Sequence, residues 1–234
     1  MSNSYGKLML IGTPIGNLED ITLRAIRVLK ETRILLAEDT RRISNLLQTL
    51  EIDHGEIFSL NMHNQSRKLP QILNRLKSGE NVALVSDAGM PVISDPGALL
   101  VKACRDNNIE VDVIPGPSAV TTAIALSGFP GTNFSFIGFL PRGKIRRRVF
   151  RKIATGLYAD GVIVFFESPY RLLETLKDLI EIIGDREVFI AREMTKLFQE
   201  SLHGTVSSMI EHFKRTEPRG EFTVVLSGRE IEND

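Results

Sequence analysis

The amino-acid sequence predicts an α/β protein made of two α/β domains. Three observations carry that prediction. Short apolar runs alternate with stretches of helical periodicity through the first half of the chain, an order that implies a mostly parallel sheet with helices on its faces. A turn-rich stretch at 127–133, Ser-Gly-Phe-Pro-Gly-Thr-Asn, then interrupts the pattern. Beyond it the alternation of strands and helices restarts. With 234 residues the chain has room for one large domain or two modest ones. The interruption divides it into 1–127 and 128–234, with a ligand cleft expected between the two.

The apolar runs 8–11, 34–37, 82–85 and 111–114 read as strands. A helix is predicted over 22–31, with Asp20 or Thr22 as its cap. A second covers 66–77 and stops at Gly79, and a third follows Gly97 and ends near Asn107 and Asn108. In the second half, strands are expected at 134–138 and 162–166. Ser168 and Pro169 then open a helix, serine as the cap and proline at the first helical position. Leu172, Leu173, Leu176, Leu179, Ile180 and Ile183 share one face of it, and Gly184 ends it. Strands at 188–191 and 222–226 follow, with a helix over 206–213 between them.

Composition excludes several classes of function. Lys and Arg number 29 and Asp and Glu 29, so no global field announces a polyanionic partner and local charge has to be read instead. A single cysteine, Cys104, excludes an internal disulfide and a multi-cysteine zinc site. His54, His63, His203 and His212 are scattered with no metal-binding spacing, and no metal is expected. No apolar run is long enough to span a bilayer, and the short polar start lacks the layout of a signal or transit peptide. A cytoplasmic protein with no membrane partner is expected.

The chemistry-bearing residues gather at strand ends. The first strand opens into Gly-Thr-Pro-Ile-Gly-Asn at 12–17 and the second into Glu-Asp-Thr-Arg-Arg at 38–42. The third opens into the long small-residue loop 86–97 and the fourth into Pro-Gly-Pro-Ser-Ala at 115–119. Ordinary strand-to-helix connections need only about two to six residues, and the carboxyl ends of strands are where α/β sheets hold ligands. Neither a P-loop ending nor G-x-G-x-x-G follows any of these strands. Main-chain groups with little positive charge suit an adenine, a ribose and a zwitterionic tail better than a polyphosphate, and S-adenosylmethionine has that description. Each loop alone is equally well explained as a closed turn; the four together favour one pocket.

A second signal is basic. Seven of the eleven positions 142–152 are Lys or Arg, and none is acidic. Ile145, Val149, Phe150 and Ile153 are expected on the buried side of a helix, leaving Arg146, Arg147 and Arg151 towards solvent. With Arg142 and Lys144 they make a phosphate-neutralising surface for RNA, or else a plain solvated face. Arg41 and Arg42 either hold an RNA backbone or pair with Glu38 and Asp39.

The ordered motifs at 12–17, 38–41, 86–97, 115–119, 138–142, 166–171 and 192–196 together resemble the tetrapyrrole methylase superfamily, in its branch acting on ribosomal RNA. The likeness runs from about Lys7 to Gly228. It implies a two-domain homodimer that binds S-adenosylmethionine between the domains. It also implies methylation of the ribose 2′-oxygen of a cytidine in the decoding region of 16S ribosomal RNA, with that RNA or the small ribosomal subunit as partner. By position, the resemblance assigns cofactor contacts to Pro14, Ala88, Gly89, Met90, Ile93, Ser118 and Ala119, and to Glu167 and Gly204 in the second domain. Met90 departs from the aspartate of the tetrapyrrole-modifying members. Asp87 then either supplies a carboxylate from another direction or closes an Asx turn. Many relatives continue beyond the last strand, and substrate contacts made there are expected to be absent or replaced.

A ribose hydroxyl is a weak acid, so a base or a cation near it assists transfer. Lys196 and Glu193 are the first candidates, with Glu200 and Asp39 as alternatives: Lys196 as a desolvated base or as a cation facing the forming alkoxide, Glu193 as its orienting partner or the proton acceptor. The competing reading is a structural Glu–Lys pair. Two other functions remain open on these residues. One keeps fold and cofactor but methylates a tetrapyrrole or a modified protein side chain; the other is a noncatalytic RNA-binding assembly factor.

Overall fold

The computed structural model describes residues 5–156 and 161–228. In the first half, five strands are followed in turn by helices: β1 (Leu8–Ile11), α1 (Leu23–Glu31), β2 (Ile34–Ala37), α2 (Thr40–Thr49), β3 (Glu56–Ser59), α3 (Gln65–Lys77), β4 (Val82–Val85), α4 (Ala98–Asp106) and β5 (Val111–Ile114). They pair in the order β3-β2-β4-β1-β5, every pair parallel. β2 and β4 are buried along their whole length, as strands covered on both faces must be. Alternate side chains serve opposite layers. Leu35, Ala37, Ala83 and Val85 pack with Ala25 and Leu29 of α1 and Ile43 and Leu47 of α2. Ile34, Leu36, Val82 and Leu84 pack with Ile72 and Leu76 of α3 and Leu100 and Cys104 of α4.

That division of helices marks a ligand position before any loop is inspected. The connections from β1 and β2 run towards one edge of the sheet, and α1 and α2 lie on one face. Those from β3 and β4 run towards the other edge, and α3 and α4 lie on the opposite face. Right-handed crossovers require this. The neighbours β1 and β4 therefore send their chains to opposite faces, which leaves a crevice beyond their carboxyl ends.

The second half contains α5 (Ala119–Ser127), β6 (Phe134–Phe139), α6 (Gly143–Ala154), β7 (Val162–Glu167), α7 (Pro169–Ile183), β8 (Glu187–Arg192), β9 (Glu200–Thr205), α8 (Val206–Arg215) and β10 (Phe222–Leu226). Its sheet runs β6-β7-β10-β8-β9 and is mixed; only β6 and β7 are parallel neighbours. Phe150, Ile153, Leu172, Leu176, Leu179, Met209 and Phe213 from α6, α7 and α8 share one core with Phe165, Ile190 and Val224 of the sheet.

The chain divides after Ser118, into Met1–Ser118 and Ala119–Asp234. That is nine residues before the boundary expected at 127. The reason is α5, a helix without charged residues that packs against β7, β8 and β10 of the second unit. Thr22 caps α1, its Oγ1 accepting from the Ala25 amide at 3.0 Å. Ser168 occupies the cap position of α7 without a capping side-chain hydrogen bond; instead its amide donates to Glu167 Oε1 at 2.8 Å.

Candidate active site

In the first unit the strand-end loops are tied to one another. Thr13 and Gly89 exchange main-chain hydrogen bonds of 3.0 and 3.1 Å, and Thr13 Oγ1 donates to the Ser86 carbonyl at 2.9 Å. Gly12 and Gly116 are in such close approach that a Cβ on Gly12 would meet the Gly116 Cα and amide nitrogen at 2.8 Å. The loop after β2 joins them through the Asp39 amide, which donates to Asp87 Oδ1 at 3.1 Å. All four loops thus gather at the β1–β4 crevice, bringing Pro14, Asp87, Ala88, Gly89, Met90 and Arg42 to one end of the sheet. Ile93 is exposed on the same loop as Gly89, and Ser118 is the last residue of the unit.

The 86–97 loop is held in an uncommon backbone shape. Val92 and Ser94 have positive φ, 75° and 63°. For a β-branched valine this is a costly conformation that surrounding structure must impose. Ser86 donates to Asp95 Oδ2, and its Oγ accepts from the Ala88 amide at 3.2 Å, pinning the loop at both ends. Burial, chiefly, with the nearby Asp87 charge, raises the Asp95 carboxyl above its ordinary value against the Ser86 hydrogen bond. Glu38 is raised by desolvation and by Asp95 and Asp87, with Arg42 opposing. Arg41 pairs with Asp39 at 3.0 Å and Arg42 lies 3.9 Å from Asp87, so the local balance of charge is acidic. An acidic rim of small residues repels a polyphosphate and accepts a sulfonium cation.

In the second unit the carboxyl ends of β6, β7 and β8 lie at one end of the sheet: Phe139 pairs with Phe166, and Glu167 and Arg192 both pair with Phe222. Glu167 is buried there, accepting from Thr175 Oγ1 at 2.6 Å and from the Ser168 amide. Its carboxylate therefore braces the start of α7. Lys196 Nζ contacts Glu221 Oε2 at 2.8 Å and Glu193 Oε1 at 3.1 Å, and Glu193 Oε1 also accepts from the Glu221 amide at 2.8 Å. Burial lowers the Lys196 ammonium, but the hydrogen bonds it donates to Glu221 and Glu193 outweigh that, and its pKa ends above the ordinary lysine value. The expectation of a desolvated lysine base is thereby corrected, because two carboxylates hold the proton on. Gly204 is brought elsewhere. It pairs with Val188, four residues back along β8 from Arg192, or about 13 Å of strand. A Cβ on it would meet Ser208 Oγ at 2.5 Å, so its smallness serves packing against α8.

Residues 7–210 match the family model of the Tetrapyrrole (Corrin/Porphyrin) Methylases. The chain belongs to the tetrapyrrole methylase family. Among its relatives, the ribosomal RNA small subunit methyltransferase I of Thermotoga maritima is 59% identical over 225 residues, spanning 96% of this chain and 100% of that protein. Its counterpart in Halalkalibacterium halodurans is 43% identical over 95% of this chain and 76% of that protein. A solved uroporphyrin-III C-methyltransferase from Thermus thermophilus, complexed with S-adenyl homocysteine, superposes with a TM-score of 0.63 at 19% identity, covering 95% of this chain and 97% of that one. That likeness shows the tetrapyrrole methylase fold.

The basic helix of this tetrapyrrole methylase differs from expectation. Arg146 does not face solvent: it is fully buried, bonding Asp178 Oδ2 at 2.8 Å through Nε, Thr175 Oγ1 at 3.1 Å and Glu174 Oε1 at 2.7 Å. Arg147 is largely occupied by Asp178 and Glu181. Ile145, expected inside, is exposed. On a helical wheel Arg146 falls between Phe150 and Ile153, so the sequence already placed it on the apolar face. Arg142, Lys144 and Arg151 do stand on the surface, joined by Arg148 and Lys152, which the candidate set omitted. Ser86 and Asp95 were also missed as loop-shaping residues; a serine at the last turn of an apolar strand followed nine residues later by aspartate carries no recognisable pattern. Among the described residues no three His, Cys, Asp or Glu side chains gather in a metal-holding group, and no helix is long and apolar enough to cross a membrane.

Proposed function

We propose that this chain transfers the methyl group of S-adenosylmethionine to a ribose 2′-oxygen of a cytidine in 16S ribosomal RNA. The observation that carries the cofactor assignment is the loop cluster at the β1–β4 crevice, acidic and built of main-chain groups. The 59% identity to a small-subunit ribosomal RNA methyltransferase carries the substrate class. When bound, S-adenosylmethionine supplies an electrophilic methyl carbon on a sulfonium. Pro14, Asp87, Ala88, Gly89, Met90, Ile93, Ser118 and Ala119 are the proposed holding residues, and Glu167 enters only by shaping the end of β7. Holding both reactants in line is the protein's main contribution.

In this reading Lys196 acts as a cation beside the forming alkoxide and Glu193 orients it. Arg142, Lys144, Arg148, Arg151 and Lys152 neutralise phosphates, with Arg41 and Arg42 near the target. The same reading expects a homodimer working in the cytoplasm. The test is mass spectrometry of nuclease-digested 16S RNA from small subunits incubated with the protein and S-adenosylmethionine. One new 2′-O-methylcytidine is expected. Methylation of a base, or none in the presence of bound cofactor, overturns the substrate assignment.

A further inference from the structure

Phe139 and Tyr170 are large rings left outside any core: Phe139 is 61% exposed at the end of β6, and Tyr170 is 97% exposed as the second residue of α7. Single exposed apolar residues are ordinary, but Phe139 belongs to a ring cluster and Tyr170 stands on an anchored turn. The Phe139 ring leans on Phe166 at 5.3 Å between centroids, and Phe166 on Phe136 at 4.9 Å. Arg171, the neighbour of Tyr170, donates through Nη2 to the carbonyls of Leu140 and Pro141, the latter at 3.1 Å. The segment following Phe139 is thereby fastened to the turn that carries Tyr170. Arg171 is in turn held by Glu167 at 3.3 Å. From the same segment springs α6, whose exposed Arg142, Lys144, Arg148, Arg151 and Lys152 make a cationic face, with Ile145 62% exposed among them.

We infer that Phe139 and Tyr170, beside the cationic face of α6, form a stacking platform for unpaired bases of a single-stranded RNA segment. This rests on the RNA reading proposed above and names how the RNA is held. Aromatic faces flanked by phosphate-neutralising cations are what single strands require, whereas a duplex keeps its base faces internal. A second copy of the chain is the less favourable occupant, because a two-fold contact through this surface would set like charges against each other.

The experiment uses the full chain and a short fluorescein-labelled single-stranded RNA of mixed sequence, with fluorescence anisotropy read over a series of KCl concentrations. Phe139→Ala and Tyr170→Ala are each expected to weaken binding about tenfold, with the slope of log affinity against log salt unchanged. Tyr170→Phe is expected to retain affinity. Lys144→Ala with Arg148→Ala is expected to reduce the slope by about 1.4. Both rings are exposed, so the alanine variants should melt as the parent does. Unchanged affinity in both alanine variants overturns the inference, as does an equal loss for the same sequence in duplex form. A halving of particle mass by light scattering also overturns it, by assigning the rings to a dimer. Methyl transfer by the parent chain to small-subunit RNA is measured alongside. Transfer with ring-independent binding sinks the platform alone; no transfer to RNA sinks the functional reading and the platform with it.

Discussion

A buried guanidinium is tolerated only where its charge and donors are all answered, and Arg146 is answered by Glu174, Thr175 and Asp178 along one side of α7. Removing one member of such a set leaves the others uncompensated. Arg146→Ala is therefore expected to destabilise the protein by about 3 kcal/mol in urea unfolding, with no change in the salt slope of RNA binding. Asp178 is pushed up by burial but pulled further down by Arg146 and Arg147, and ends below its ordinary value. A lowered carboxylate contributes its full stability above the unfolded pKa of about 4, and loses it as pH falls through the lower folded value. Thermal unfolding followed from pH 7 downward should show an acid-side loss that Asp178→Asn shrinks. Lys196 titrates above the ordinary lysine range, so the rate should show no limb from it through neutral pH. Lys196→Arg should keep more activity than Lys196→Met, and equal losses in the two would remove the cationic role. The burial of Arg146 is legible on the helical wheel, although it was read as facing solvent; the Glu193–Lys196 pair was among the readings of the sequence, and the Glu221 contact was not, because Glu221 lies 25 residues away in sequence.

Among the elements, those with an apolar run or strong periodicity were plain in the sequence; of the four edge strands, β5 and β6 were read and β3 and β9 were not. β3 and β9 carry few apolar residues, and neither left a readable run. α2 did carry helical spacing at Ile43 and Leu47 behind its Asp39 cap, but the charged turn before it drew the reading towards a loop. α5 lacks amphipathic contrast, because it has no charged residue and its Thr121, Thr122 and Ser127 do not share one face. The loops after β1 and β5 make the sharpest element-scale test. Gly12→Ala forces its Cβ onto Gly116 backbone. The variant should fold, lose about 1–3 kcal/mol, and bind S-adenosylmethionine roughly tenfold more weakly, equivalent to about 1.4 kcal/mol.

For the whole molecule, the order of strands places the crevice more firmly than any motif does. The reversal between β1 and β4 follows from chain direction and handedness alone. The loops read as chemical in the sequence are the ones that end there. The division after Ser118 was illegible because the strongest turn signal, at 127–133, follows α5 rather than precedes it. The central claim is that the gathered loops of the first unit hold a sulfonium donor, and calorimetric titration of S-adenosylmethionine into the full chain tests it most directly. Saturable binding of one molecule per chain is expected, weakened by Gly12→Ala. Absence of binding to the folded protein, or binding indifferent to that substitution, would contradict it.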